Sequence, residues 1–268
     1  MTQKRFSNQT VIVTGAGEGI GYEVARQFCQ EGAAVLLNDI LPERAQAAAA
    51  SISAETGAPC VAAAGDVADV EYVRGLVDTA VEAFGGLSVC VCNAGLTSWG
   101  DFFEYQPADF ERVVSVNLRG SYFLAQAAAR QFRRQGRGGR IVLMSSVTGH
   151  RAVPYLSAYG MTKAALEMLA RNLVLELSRH GITINCVAPG AVLTPRNLDD
   201  DPDYEVRWAN LIPVGQAIQT GDIANAVLFL ASPAAGKITG QAIVVDGGWT
   251  STSPIPDMDY GKDYQNRE

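Results

Sequence analysis

Thr10-Val11-Ile12-Val13-Thr14-Gly15-Ala16-Gly17-Glu18-Gly19-Ile20-Gly21 is the stretch whose reading decides the fold. Its first part is a run rich in β-branched residues, of a length suited to a buried strand. A glycine-rich turn follows, and Ile20, Val24 and Phe28 at four-residue spacing then mark a helix that opens at the turn. Backbone N–H groups and the helix dipole at such a junction can hold a pyrophosphate. The glycines fit GxxxGxG on Gly15, Gly19 and Gly21, whereas GxGxxG fails because Ile20 occupies its third glycine position.

The same alternation of strand and helix runs outward through the chain. Apolar runs at 10–14, 34–38, 60–64, 87–92, 140–144, 182–187 and 242–245 predict seven strands. Amphipathic helices lie between them, one carrying Val70, Val73, Val77, Val81 and Phe84. This order predicts an α/β fold, a doubly wound Rossmann sheet of seven parallel strands covered on both faces. Pro107 opens a long helix expected to reach about residue 134 and to end at the loop Gly136-Arg137-Gly138-Gly139. No linker or internal repeat divides the 268 residues. One dinucleotide-binding and catalytic domain over 1–250 is therefore expected, with a polar tail over 251–268. The Asp-rich segment 193–213 follows a strand's C-terminal end and is expected to form a lid.

A net charge of −7 and a pI near 5.0 argue against nucleic acid or an anionic membrane as partner. No apolar run approaches the ~18 residues of a membrane span, and the N-terminal residues lack the apolar core of a signal peptide. A cytoplasmic protein is expected. Five cysteines (Cys29, Cys60, Cys90, Cys92, Cys186) show no metal-like spacing, and Cys90 and Cys92 alternate with valines as core thiols would. With only His150 and His180 available, no metal site is expected.

Tyr159 and Lys163 are four apart and stack on one helix face. An ammonium a few Å from a phenol favours the phenolate, by roughly 4 kcal/mol at 4 Å and an effective dielectric near 20. Such a tyrosine can serve as a general base near neutral pH. Ser146 lies thirteen residues upstream, just past the apolar run 140–144, which places it at the C-terminal end of a buried strand where α/β sheets bind ligands. Ser145 competes for the same role. Asp39 closes the second strand eighteen residues beyond Gly21, where a carboxylate receives ribose hydroxyls and repels a 2′-phosphate. NAD is thus expected over NADP, since neither Asn38 nor Ile40 supplies an offsetting cation and Glu18 adds negative charge.

From about residue 10 to 248 the chain resembles a short-chain dehydrogenase/reductase of the single-domain type. The resemblance rests on Thr14–Gly21, Asp66-Val67, Asn93-Ala94-Gly95, Asn117, Ser146, Tyr159 with Lys163, Pro189-Gly190 with Thr194, and Val245-Asp246-Gly247-Gly248. It implies Tyr159 as general acid/base, Ser146 orienting the carbonyl or hydroxyl, and Lys163 holding the nicotinamide ribose. It implies Asn117 as anchor of a relay water. Only Ser146, not Ser145, has the family's thirteen-residue spacing to the tyrosine. Cofactor contacts implied are Gly15, Glu18, Gly19, Ile20 and Gly21 at the pyrophosphate, Asp39 at the ribose, and Asp66 and Val67 at the adenine. Asn93, Ala94 and Gly95 would follow the cofactor ribose, while Pro189, Gly190, Val192 and Thr194 would border the nicotinamide. Trp99, His150 and Tyr155, with Ser146 and Tyr159, are candidate substrate contacts, and Thr97, Ser98, Arg151, Arg196, Trp208 and Leu211 are further candidate walls. His150 reads more readily as a lid or surface residue than as a second base. The expected reaction is hydride transfer between NAD(H) and a secondary alcohol or ketone such as a sugar, polyol or cyclic alcohol. The alternatives are reduction of 3-oxoacyl thioesters, a sugar-nucleotide epimerase or dehydratase, and a non-catalytic NAD-binding relative. Family resemblance also implies a homotetramer, built through helices near 107–134 and 158–179 and the last strand.

Overall fold

In a computed structural model, which describes residues 4–252, the strands are β1 (Thr10–Val13), β2 (Ala34–Asp39), β3 (Cys60–Ala64), β4 (Val89–Cys92), β5 (Gly139–Met144), β6 (Ile182–Pro189), β7 (Val192–Leu193), β8 (Ile218–Gln219) and β9 (Ala242–Val245). Seven of them form one parallel sheet in the order β3-β2-β1-β4-β5-β6-β9. All seven runs read from sequence lie in it. The pair β7–β8 forms a separate two-stranded sheet that apolar patterning did not foretell, because two-residue strands carry no periodicity. Of the expected tail, residues 253–268 lie outside the described residues.

Side-chain alternation divides the sheet's two faces. Val11, Val13, Val35, Leu37, Val89, Val91, Val142 and Met144 belong to one buried cluster with α1 (Gly19–Gln30), α2 (Pro42–Thr56) and α9 (Thr220–Ala231). Ile12, Leu36, Cys90, Cys92, Ile141, Leu143 and Ile184 belong to the other, with α3 (Val70–Phe84), α5 (Ser121–Gln135) and α6 (Ser157–Leu177). Register aligns the strand ends: Val13 pairs with Leu37 and Val91, Cys92 with Leu143, and Met144 with Val187. The glycine turn, Asp39, Asn93 and Ser146 consequently leave the sheet along one carboxyl-end edge.

The helix expected over 107–134 is continuous but not uniform. It comprises α4 (Pro107–Val114), a π turn (Ser115–Gly120) and α5. Widened turns of this kind insert a residue and re-aim its neighbours; here the turn buries Asn117 completely. Its last residue is Gly120, where a Cβ would lie 2.6 Å from the Val67 carbonyl oxygen. The segment expected as a lid holds α7 (Pro195–Asp200) and α8 (Tyr204–Ala209). Thr194 caps α7 by accepting the Asn197 N–H, with Pro195 at the first helical position. Trp208 of α8 packs edge-on to Trp249, ring centres 5.0 Å apart, fixing this segment to the turn after β9.

Candidate active site

The glycine-rich end of the site is built where β1 and β4 finish. Thr14 Oγ1 accepts the Asn93 and Ala94 N–H groups (3.1 and 3.2 Å), and Asn93 Nδ2 donates to the carbonyls of Thr14 (2.9 Å) and Gly15 (3.0 Å). This stitching brings the two loops so close that a Cβ on Gly15 would lie 2.7 Å from Ala94 Cα, and one on Gly21 would collide with the Gly15 carbonyl. Gly15 and Gly19 both have φ near +60°, a region open to glycine at little cost. The result is a bare backbone cradle at the N-terminus of α1, which fits a pyrophosphate.

A cleft of about 360 Å³ runs from this cradle along the carboxyl edge. Gly15, Glu18, Gly19, Ile20 and Gly21 line it, with Asp39, Asp66 and Val67 toward the β2–β3 side. Asn93, Ala94 and Gly95 line it from β4, Ser146, Tyr159 and Lys163 from β5 and α6, and Pro189, Gly190, Val192 and Thr194 from β6 and β7. Asn93 thus spends its side-chain amide on the loop itself. Asp66 accepts the Ala68 N–H (2.9 Å) and the Arg112 guanidinium (2.8 Å). Burial works to raise its pKa, but these donors and the charges of Arg112 and Arg119 outweigh it and hold the carboxyl below the usual range.

Asp39 is 3% exposed and its carboxylate is fully engaged. Oδ2 accepts the Gly17 N–H (3.1 Å); Oδ1 accepts the Leu41 N–H (3.1 Å) and two N–H groups of Arg44 (Nε 3.1 Å, Nη2 2.9 Å). Arg44 also donates to Glu18 (2.8 Å). Burial lowers the Arg44 pKa, yet Asp39 and Glu18 prevail and hold it above its ordinary value. A cation therefore does offset Asp39. It comes five residues later, from the first turn of α2, where helical side chains lean back toward the N-terminus. Gly17 makes room for the pair: a Cβ there would lie 2.6 Å from Asp39 Oδ2 and 2.7 Å from Arg44 Cγ.

Tyr159 and Lys163 project from one face of α6. Lys163 is 3% exposed; its Nζ donates to the Met144 carbonyl (2.8 Å) and lies 5.3 Å from the centre of the Tyr159 ring. Ser146 caps a 3₁₀ turn (Val147–Gly149), its Oγ accepting the Thr148 N–H at 3.2 Å. Asn117 stands behind the cleft rather than on its lining. Its Oδ1 accepts the Leu96 N–H (2.7 Å), and its Nδ2 donates to the Leu96 carbonyl (2.9 Å) and to Thr162 Oγ1 (3.2 Å). The π turn thereby ties the loop after β4 to α6.

The candidate substrate contacts fall differently. Ser146 and Tyr159 line the main cleft, as do Thr97 and Arg196, but Trp99, His150 and Tyr155 do not. His150 and Tyr155 border a second hollow of about 600 Å³, and Trp99 and Tyr155 are largely exposed. His150 points Nε2 at the buried Glu167 carboxylate (2.9 Å). Arg44, Arg112 and Asn197 line the cleft without having been singled out from sequence. Only Arg44 had a readable signal, as a cation on the first turn of the helix that follows Asp39.

A glycine cradle at one end of the cleft and Ser146, Tyr159 and Lys163 at the other form an arrangement suited to a nicotinamide-dependent oxidoreductase. Residues 15–250 match the family described as Enoyl-(Acyl carrier protein) reductase. The L-rhamnose 1-dehydrogenase (NAD(P)(+)) of Sphingomonas sp. (strain SKA58) is 40% identical over 248 residues, covering 91% of this chain and 97% of that protein. A glucose 1-dehydrogenase of Gluconobacter oxydans (strain 621H) is 36% identical, covering 92% and 93%. Among solved structures, a short-chain type dehydrogenase/reductase from Mycobacterium marinum superposes with a TM-score of 0.88 at 33% identity, covering 93% and 98%. A 7α-hydroxysteroid dehydrogenase complexed with NADH and 7-oxo glycochenodeoxycholic acid gives 0.86 at 33% identity, covering 92% and 96%. The chain belongs to the short-chain dehydrogenase/reductase family.

Proposed function

We propose that the protein is an NAD-dependent dehydrogenase of a sugar, polyol or cyclic secondary alcohol, with Tyr159 as the group that exchanges the hydroxyl proton. The observation carrying this reading is the single cleft that reaches from the glycine cradle to Tyr159, Lys163 and Ser146. Nicotinamide, when bound, supplies the hydride acceptor. Gly15, Gly19 and Gly21 would hold its pyrophosphate, and Asp39 and Asp66 its adenosine half. Thr194 and Val192 would border the nicotinamide and Lys163 its ribose. Tyr159 Oη takes the proton of the substrate hydroxyl, and Ser146 Oγ–H donates to the same oxygen as its charge develops. Asn117 keeps the loop bearing Asn93, Ala94 and Gly95 in register with α6. Thr97 and Arg196, whose Nη2 reaches the Thr97 carbonyl at 3.4 Å, stand where a polar substrate would enter.

The Asp39 carboxylate supports NAD as the preferred cofactor, while its pairing with Arg44 supports some tolerance of NADP. The exposed Tyr122, Met168 and Leu175 on α5 and α6 support self-association, for which a homotetramer is our reading; sedimentation of the purified protein tests it. Five unpaired cysteines suit a reducing compartment, here the cytoplasm.

The test is NADH formation with a panel of aldoses, polyols, cyclic alcohols, hydroxysteroids and 3-hydroxyacyl thioesters, run beside Tyr159→Phe. Expected is turnover with one of the first groups and a loss in kcat of about 10²–10⁴ in the variant, with NADH affinity kept. Near-normal turnover of Tyr159→Phe removes the proton-transfer assignment, and a response confined to thioesters replaces the substrate class.

A further inference from the structure

One buried carboxylate has no part in the reaction just described. Glu167 lies one turn beyond Lys163 on the same face of α6, so that Tyr159, Lys163 and Glu167 follow each other at four-residue steps. Its side chain is 5% exposed. A single oxygen, Oε1, receives Ser145 Oγ (2.7 Å) and His150 Nε2 (2.9 Å). Those two residues flank the turn that starts at Ser146 and ends at Gly149. Ser145 Oγ, with one hydrogen to give, also lies 3.1 Å from the Lys163 carbonyl oxygen, so either acceptor it uses belongs to α6.

The turn is seated directly on the helix. A Cβ on Gly149 would lie 3.0 Å from the Ala164 nitrogen and 3.3 Å from Glu167 Oε1, and a Cβ on Gly160 would lie 2.8 Å from the Thr148 carbonyl oxygen. A buried carboxylate is costly unless it is hydrogen-bonded; here the contacts to Oε1 come from the two residues that bracket Ser146.

We propose that Glu167 is a positioning residue: its carboxylate clamps both flanks of the Ser146 turn onto the helix that carries Tyr159 and Lys163, and so sets the serine hydroxyl against the tyrosine. This rests on the reading of Ser146 and Tyr159 as the catalytic pair. Misplacement of a catalytic group by about 1 Å costs up to about 10²-fold in rate.

The experiment compares Glu167→Ala, Glu167→Gln and Ser145→Ala, each alone and with Ser146→Ala. Three measurements are made: kcat and KM, NADH affinity by fluorescence, and amide hydrogen exchange of the 145–151 segment in the cofactor-free protein. Glu167→Ala is expected to lower kcat about 10- to 100-fold, to leave NADH affinity within about twofold, and to speed exchange in 145–151 at least tenfold relative to β6. Glu167→Gln, which keeps an acceptor oxygen in place, restores most of kcat, and Ser145→Ala gives a partial loss. On the Ser146→Ala background, Glu167→Ala has no further effect on kcat. If Glu167→Ala does not fold, Ser145→Ala and Glu167→Gln carry the same comparison. Unchanged kcat in a folded Glu167→Ala, or additive losses with Ser146→Ala, overturns the proposal. The exchange measurement needs no turnover, so it separates failure of the clamp from failure of the catalytic assignment, which Tyr159→Phe reads.

Discussion

Of the four donors that reach the Asp39 carboxylate, two belong to Arg44, and both sit on Oδ1. In the proposed cofactor pose, ribose hydroxyls would compete with that guanidinium for the carboxylate, whereas a 2′-phosphate would meet a cation already in place. Arg44→Ala is expected to lower kcat/KM for NADP about tenfold or more relative to NAD, the loss of one charge-assisted contact. Steady-state kinetics with both cofactors decide it, and an unmoved ratio would place Arg44 away from the 2′ position. The contrast between Asp39 and Arg44 shows which residues a sequence discloses. Asp39, Tyr159 and Lys163 are marked by fixed spacings within one element or at its end. Arg44 acts through the lean of a helical side chain, and the inward turn of His150 depends on Glu167, seventeen residues away.

At the scale of elements, the strands were legible because period-two patterning is local, and each of the seven runs overlaps a strand of the main sheet. The π turn was not, since 3.6-residue patterning continues across it on both sides. Its function shows in its contacts. Asn117→Ala would leave the part-buried Leu96 N–H and C=O without their Asn117 partners, at about 1 kcal/mol each. A lower melting temperature together with weaker NADH binding is expected, because the 93–96 loop lines the cleft; melting and fluorescence titration read both. Gly160→Ala offers a second check. Alanine raises intrinsic helix propensity by about 1 kcal/mol, but its Cβ would press on the Thr148 carbonyl at 2.8 Å. Loss of stability with a fall in kcat would show that contact between the serine turn and α6 outweighs propensity, and a more stable, fully active variant would show the reverse.

Across the whole molecule, two properties follow from burial. All five cysteines are buried and unpaired. Burial pushes the Cys186 thiol up to about 12, and Cys92 is raised by its neighbour Cys90 and by burial. An aromatic disulfide reagent at pH 8 should therefore titrate none of them in the native protein and all five after denaturation; fast labelling of the native enzyme would contradict the packing. Glu23 is held low chiefly by Arg26, while Asp66 and Asp246 are held low by donors that outweigh their burial. Their folded-state values lie below the unfolded ones. Their stabilisation is thus complete above about pH 4–4.5 and is lost as pH falls through the depressed values. Melting temperature should hold steady from pH 7 to about 5 and drop in more acid solution, and a rise there would count against these pairings.

The helices α2, α3 and α5 each end on a glycine with positive φ and open space where a side chain would be: Gly57, Gly85 and Gly136. All three lie at the amino edge of the sheet, opposite the cleft. A cysteine introduced at one of them costs roughly 1–2 kcal/mol for its left-handed backbone, and with the native thiols inaccessible it becomes the sole reactive handle. Tethering the enzyme there to an electrode or bead would hold the attached subunit with its cleft facing solution, an orientation suited to a sensor that reports its substrate through the reduced nicotinamide cofactor.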